Sequence, residues 1–289
     1  MASYDNFARN GEENVAYYKK ATQFGRPNAY VFTKIGNYYA GSTTPDSAFF
    51  YYRKAVSISP QTFTFSSNLG KLFYQLHVYD SALIYANQAL SMSSGNPKLW
   101  SDVARVYYTM DSVDQALQYF RRAVKLAPDD AEILVGLAQA YTHVKKFDSA
   151  MACLNNAMET NNRDPKPWAG LALYYNRTGN FSSAVSSADS AVLLNPKYSR
   201  GYAELGYAYL KAGRRDSAFK ALTNAVRLDS TDYTPYIYLA CWYATGTNKE
   251  AAFTNLQLAA GKGFRLWDWV DAEPALNRIK DDPRIKGLR

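Results

Sequence analysis

The triplet Asp-Ser-Ala begins at Asp46, Asp80, Asp148 and Asp216, at spacings of 34, 68 and 68 residues. Looser versions starting at Asp114 and Ser182 fill the gaps. Its alanine therefore recurs without insertion as Ala48, Ala82, Ala116, Ala150, Ala184, Ala218 and Ala252. Seven residues further on, a second ladder runs through Ala55, Ala89, Ala123, Ala157, Ala191, Ala225 and Ala259. A fixed period of this length means one supersecondary unit copied along the chain, each copy burying its apolar face against the next.

A third ladder lies upstream. With the first alanine at repeat position 20, position 7 is Ile35, Leu69, Val103, Leu137, Leu171, Leu205 and Leu239. Position 8 is always small, as Gly36, Gly70, Ala104, Ala138, Ala172, Gly206 and Ala240. Position 11 is always aromatic, as Tyr39, Phe73, Tyr107, Tyr141, Tyr175, Tyr209 and Tyr243. Position 4 is often aromatic, as Phe32, Trp100, Trp168, Tyr202 and Tyr236, and Pro60, Pro128 and Pro196 close three units at position 32. Positions 4, 7, 8 and 11 have i, i+3, i+4, i+7 spacing, one face of a first helix. Positions 20, 24 and 27 do the same for a second. The small residues let helices approach closely, and the aromatic at 11 fills the remaining space. Asp at position 18 falls in the first turn of the second helix, where a carboxylate meets unsatisfied N–H groups and the positive end of the dipole. Asp-Ser-Ala is thus explained structurally and needs no catalytic role.

Stretches such as "PWAGLALYYNRTGNFSSAVSSADSAVLLNPK" and "RGYAELGYAYLKAGRRDSAFKALTNAVRLDS" resemble tetratricopeptide repeats. The resemblance covers six units, 29–62, 63–96, 97–130, 131–164, 165–198 and 199–232, and a degenerate seventh, 233–266. It implies an all-α fold, a right-handed superhelical solenoid of about fifteen or more helices. Residues 11–25 fit a second helix without its first, with Tyr18 and Ala21 at positions 24 and 27. We expect residues 1–28 to be either part of a repeat cut from a longer protein or a lone capping helix. Residues 267–289 break the repeat and resemble endings that follow such arrays in many bacterial proteins. Glu273-Pro274 and Ile285 replace the usual Asp-Pro and aromatic. This piece is expected to cap the bare terminal face; a docking surface built on Trp267 and Trp269 is the alternative.

The chemistry of sites is sparse. Two histidines, His77 and His143, and two distant cysteines, Cys153 and Cys241, assemble no zinc set at the usual spacings and no disulfide framework. There is no phosphate-binding glycine loop, calcium loop or nucleophile elbow. No cofactor, metal or catalytic residue is expected. Glycosylation-like triplets at Asn176 and Asn180 are too short to carry weight. No apolar run approaches the ~18 residues of a membrane span. The sequence assigns no compartment; cytoplasmic and periplasmic settings both fit.

What the sequence does offer is charge. Among 289 residues the net charge is +8, with 25 tyrosines. The family resemblance implies that positions 2, 5, 9, 12 and 13 face a concave groove. These include Asn37, Lys71, Tyr74, Lys98, Arg105, Tyr108, Gln139, His143, Lys166, Asn176, Arg177, Arg200, Tyr207 and Lys211. Seven are basic, and the one acidic residue at these positions is Glu132. Charge within a concavity is focused, so an acidic or C-terminal protein segment is the expected partner, with the chain as a non-enzymatic scaffold. Arg121 and Arg122 are assigned to the opposite, convex face. The carboxylate clamp of some family members is only partly present: Asn37, Asn68 and Lys98 fit it, but Thr33 and Asp102 replace basic residues, so chaperone binding is not expected. Basic charge and stackable tyrosines leave nucleic-acid binding as the alternative.

Overall fold

The computed structural model describes residues 15–20, 22, 28–40 and 45–288. The chain divides into two compact units, up to Val106 and from Tyr107 onwards. The first contains α1 (Ala29–Ala40), α2 (Pro45–Ile58), α3 (Phe63–Gln75), α4 (Tyr79–Met92) and most of α5 (Pro97–Thr109). The second continues with α6 (Val113–Leu126), α7 (Ala131–His143), α8 (Phe147–Thr160), α9 (Pro165–Thr178) and α10 (Phe181–Leu194). After these come α11 (Ser199–Lys211), α12 (Arg215–Leu228), α13 (Thr234–Thr245), α14 (Lys249–Gly261), α15 (Trp267–Ala272), a 3₁₀ turn over Pro274–Leu276, and α16 (Pro283–Lys286). No strand occurs among the described residues.

Each ladder has the role its chemistry requires. All fourteen ladder alanines are at 0% exposure. The position-7 aliphatics are all buried, Ile35 and Val103 completely. Position 8 has no room for a larger residue where it is glycine. A Cβ on Gly206 would sit 2.6 Å from Cγ of the fully buried Leu222, and one on Gly70 would sit 3.1 Å from the Ala86 backbone nitrogen. Asp46, Asp80, Asp114, Asp148 and Asp216 lie in the first turns of their helices.

Three further features recur from repeat to repeat. The position-4 ring ties its repeat to the one before: Trp100 Nε1 donates to the Ser94 carbonyl at 2.7 Å, Trp168 Nε1 to Asn162 at 2.8 Å, and the Tyr236 hydroxyl to Ser230 at 3.3 Å. The position-11 ring packs on position 23 of its partner helix in three repeats, stacked in Tyr39–Tyr51 and Phe73–Tyr85 and tilted in Tyr107–Tyr119. Position 15, just past the first helix, takes positive φ in His77, Asp111, Lys145, Gly179, Gly213 and Thr247. This is the left-handed cap that ends many helices, and glycine suits it best.

The two ends follow the repeat register. Val15 is buried with Ala29, Phe32 and Ile35. The Lys19 ammonium donates to the Tyr39 hydroxyl at 2.6 Å, twenty residues on. Arg121 makes the same contact with Tyr141, at 3.0 Å and the same separation. Lys19 therefore behaves as a second-helix residue, as does Tyr18, which packs on the same cluster. Ala21, and the rest of 11–25 except 15–20 and Thr22, lie outside the described residues. At the other end, Leu266, Trp267, Val270, Leu276, Ile279 and Ile285 share one core cluster with α13 and α14. Glu273 and Asp282 each precede a proline and accept a backbone N–H, from Ala275 at 3.1 Å and Arg284 at 3.0 Å. The acid-proline pairs are thus N-caps, with proline preset for the first helical position.

Candidate functional site

The face to examine is lined by the first helices, and position 6 belongs to it as well. In the first unit the Lys71 ammonium (position 9) lies 3.3 Å from the Asp102 carboxylate (position 6 of the next repeat). In the second, Tyr207 and Tyr238 hold the same two positions and stack at 4.4 Å. Counting positions 2, 5, 9, 12 and 13 alone therefore missed Asp102 and Glu204, and the excess of basic residues found that way does not stand as free charge.

In residues 28–106 the face is lightly covered. Lys34, Asn37, Lys71 and Lys98 are exposed, and Tyr74 and Arg105 half-buried. Asn37 accepts a hydrogen bond from the Tyr52 hydroxyl at 2.7 Å. Tyr74 packs its ring against Tyr79. Lys34 lies 5.1 Å over the Tyr30 ring. Thr33 is buried, its hydroxyl donating to the Ala29 carbonyl, so the position of the clamp's first lysine is structural. Four cations, Lys34, Lys71, Lys98 and Arg105, face one carboxylate, Asp102.

In residues 107–289 the same face is locked into a network. Glu204 is completely buried, yet its carboxylate accepts from Arg200 Nε at 3.1 Å, Asn176 Nδ2 at 3.1 Å and the Tyr238 hydroxyl at 3.1 Å. Arg200 also reaches the Thr234 hydroxyl at 2.7 Å and the Asp232 carboxylate at 3.8 Å. Burial works against the Arg200 charge, but Asp232 and Glu204 more than offset it and hold its pKa well above the ordinary guanidinium value. A buried charge tolerates this position only because its partners are complete. Lys166 pairs with Glu132 at 2.8 Å. His143 lies 3.6 Å from Asp111 and edge-on to Tyr108. Burial lowers the His143 pKa, with Asp111 pulling the other way.

The C-terminal segment completes the network. Glu273 accepts from the Tyr207 hydroxyl at 2.6 Å and from the Lys211 ammonium at 2.9 Å. Trp269 packs against the rings of Tyr207 and Tyr238, and the Arg177 guanidinium lies 4.7 Å over its ring. Burial, reinforced by Glu273, pushes the Tyr207 hydroxyl far above the usual phenol range, so it remains a donor. Tyr108, Gln139, His143, Arg177 and Arg200 converge with Tyr238 and Trp269 on one cavity of about 40 Å³. The pocket is open to solvent, with Arg177 and Arg200 in its lining.

The fourteen expected residues thus separate. Asn37, Lys71, Tyr74, Lys98 and Arg105 lie on the open face. Tyr108, Gln139, His143, Arg177 and Arg200 gather around the cavity, Lys166 is paired with Glu132, and Lys211 is held by Glu273. Asn176 and Tyr207 are corrected: both are 5% exposed, with the Asn176 amide nitrogen bonded to Glu204 and the Tyr207 hydroxyl to Glu273. Arg121, assigned to the convex face, donates from Nε to the Tyr141 hydroxyl. Glu204 was missed, and Glu273 and Trp269, read from the sequence as part of the C-terminal segment, were not expected on this face. A glutamate at position 6 of a buried helix face was the readable signal for the first. No group of His, Cys, Asp and Glu suited to a metal ion occurs among the described residues, and no helix among them is long and apolar enough to cross a membrane.

Comparison with known proteins agrees with this architecture. Residues 75–275 match the family model described as Cilia and flagella-associated protein 70 C-terminal domain, a tetratricopeptide-repeat model. The chain belongs to the tetratricopeptide-repeat family, and its fold class is the all-α solenoid of helix-turn-helix repeats. Among solved structures it is similar to a chain of the APC/C hetero-tetramer Cut9-Hcn1, with TM-score 0.63, 18% identity, and coverage of 91% of this chain and 51% of that one. It is also similar to a tetratricopeptide repeat protein from Parabacteroides merdae ATCC 43184, with TM-score 0.61, 16% identity, and 86% and 98% coverage. Yeast Tom70 matches with TM-score 0.61, 16% identity, and 99% and 63% coverage. The chain thus spans about half the length of the first of these. No curated protein matches it in sequence.

Proposed function

We propose that this chain is a non-enzymatic scaffold that holds an acidic or C-terminal segment of another protein against the face of its first helices. The observation that carries this reading is the seat of Glu273. A carboxylate at the junction of α15 and the 3₁₀ turn lies on that face, bonded to a tyrosine hydroxyl and a lysine ammonium, with an aromatic residue one helical turn earlier packed beside it. The face therefore has the chemistry to take such a segment. Membership of the family and the polar, tyrosine-bearing surface support the same role. An extended peptide loses entropy on ordering, so micromolar affinity, about −8 kcal/mol, is expected.

Fluorescence anisotropy with labelled acidic peptides tests this. Binding should be micromolar and weaken steeply with salt, since exposed charges are screened within ~8 Å at physiological ionic strength. The same peptides with Asp and Glu changed to Asn and Gln should bind far more weakly. Tight binding of a labelled single-stranded oligonucleotide at physiological salt, with none of the acidic peptides, would replace this reading with the nucleic-acid one.

A further inference from the structure

Each unit has its own first-helix face, and the second unit's face shows what the first lacks. On residues 107–289 Lys166 pairs with Glu132, Arg200 with Glu204 and Asp232, and Lys211 with Glu273, while Arg177 lies over the Trp269 ring. One of those carboxylates, Glu273, comes from outside the repeats, in the acidic stretch "WDWVDAE" at 267–273. That stretch cannot leave cheaply. Trp267, Val270 and Leu276, on either side of Trp269 and Glu273, are buried in the core beside α13 and α14. Lifting Glu273 off Lys211 would drag these apolar side chains into water. On residues 28–106 the register equivalents of Tyr207 and Lys211 in the second repeat are Lys71 and Gln75, both exposed, and Lys34 and Lys98 are exposed beside them.

We infer that residues 267–273 are a permanent occupant of the second unit's face. The partner's acidic segment then docks on the first unit, across Lys34, Lys71, Lys98 and Arg105 with Tyr74 beside them. This rests on the proposed function and adds the place and its chemistry. Lys71 keeps 55% of its side chain exposed while paired with Asp102, so an incoming carboxylate reaches it without breaking the core. The chain's own segment supplies the pattern of the ligand: several carboxylates, one of them four residues after an aromatic side chain.

The test uses the full chain and a labelled peptide with the sequence of Leu266–Pro274, added in trans. Micromolar binding is expected. The double variant Lys98→Glu, Arg105→Glu should weaken it tenfold or more, and Lys71→Glu should weaken it further. Lys125→Glu with Lys220→Glu, exposed second-helix residues of the other unit, should leave it unchanged. Thermal melts of each variant check that the fold is intact. Equal binding by the native chain and the Lys98→Glu, Arg105→Glu variant would overturn the docking place while leaving the scaffold reading standing. Failure of the native chain to bind this peptide or any other acidic peptide would overturn both.

Discussion

Lys71 and Tyr207 are both ninth in their repeats, one in each unit of the chain. Lys71 meets a carboxylate at the edge of water; Tyr207 is sealed under Glu273 and Trp269. The scaffold beneath them is the same, with the same buried alanines and the same small residue at position 8. What differs is what lies on top. A repeat fixes the backbone and the core, and leaves positions 2, 6, 9, 12 and 13 to be spent on stability or on recognition. In the second unit they went to a buried network and a terminal segment. In the first they remained charged and accessible.

The comparison is broken most severely by removing the cover. Ending the chain at Leu266 strips Trp267, Val270, Leu276, Ile279 and Ile285 from the core. At about 1.5–3 kcal/mol for each large buried side chain, the loss should exceed about 5 kcal/mol, seen as aggregation or a large fall in Tm. A truncated chain that melts with the native one would show that the segment is not a cap.

Position 6 gives a sharper contrast. Glu204→Ala should cost about 3–5 kcal/mol, because Arg200, Asn176 and Tyr238 lose their shared partner inside the protein. Asp102→Ala, the same position in the first unit, should cost about 1 kcal/mol or less, since Lys71 is well exposed. Urea melts of both variants check this; equal costs would mean that the two faces do not differ as described.

Position 15 should behave alike in both units. Thr247, φ 69°, and His77, φ 60°, hold left-handed backbone without being glycine. Replacing either by Gly should stabilise by about 1 kcal/mol, more for β-branched Thr247.

The smallest effect concerns His143. Its imidazole is held neutral below its ordinary 6.5 by burial, against the pull of Asp111. Between that ordinary value and the lower folded one, only the unfolded chain takes the proton. Stability therefore falls as pH drops through 6.5 and is unaffected above it. Asp111, raised from 3.8 by burial, acts oppositely and at lower pH. Melts at pH 7.5 and 5.5 should converge by about 2 °C or less in His143→Gln.

The repeat made the fold legible: helix pairs, buried alanines and first-turn aspartates all follow from period and residue size. The face was legible only in part. Register placed Lys71, Lys98, Arg177 and Lys211 on it, but register counts residues one repeat at a time. It could not show that Glu204 closes on Asn176 and Tyr238 from neighbouring repeats. Nor could it show that Glu273, 62 residues after Lys211 and outside the period, folds back onto it. The position-23 aromatics could have been read, since Tyr51, Tyr85 and Tyr119 recur at 34 residues. They were missed because the later repeats replace them.

The central claim is that recognition resides in the first unit because the second unit's face is already filled. Amide hydrogen exchange of the full chain, with and without a saturating acidic peptide, tests it directly. Added protection is expected in α3 and in the part of α5 up to Val106, with exchange in α11 and α15 unchanged. Protection gained in α11, or exchange accelerated in α15 as Trp269 and Glu273 leave their seat, would contradict it.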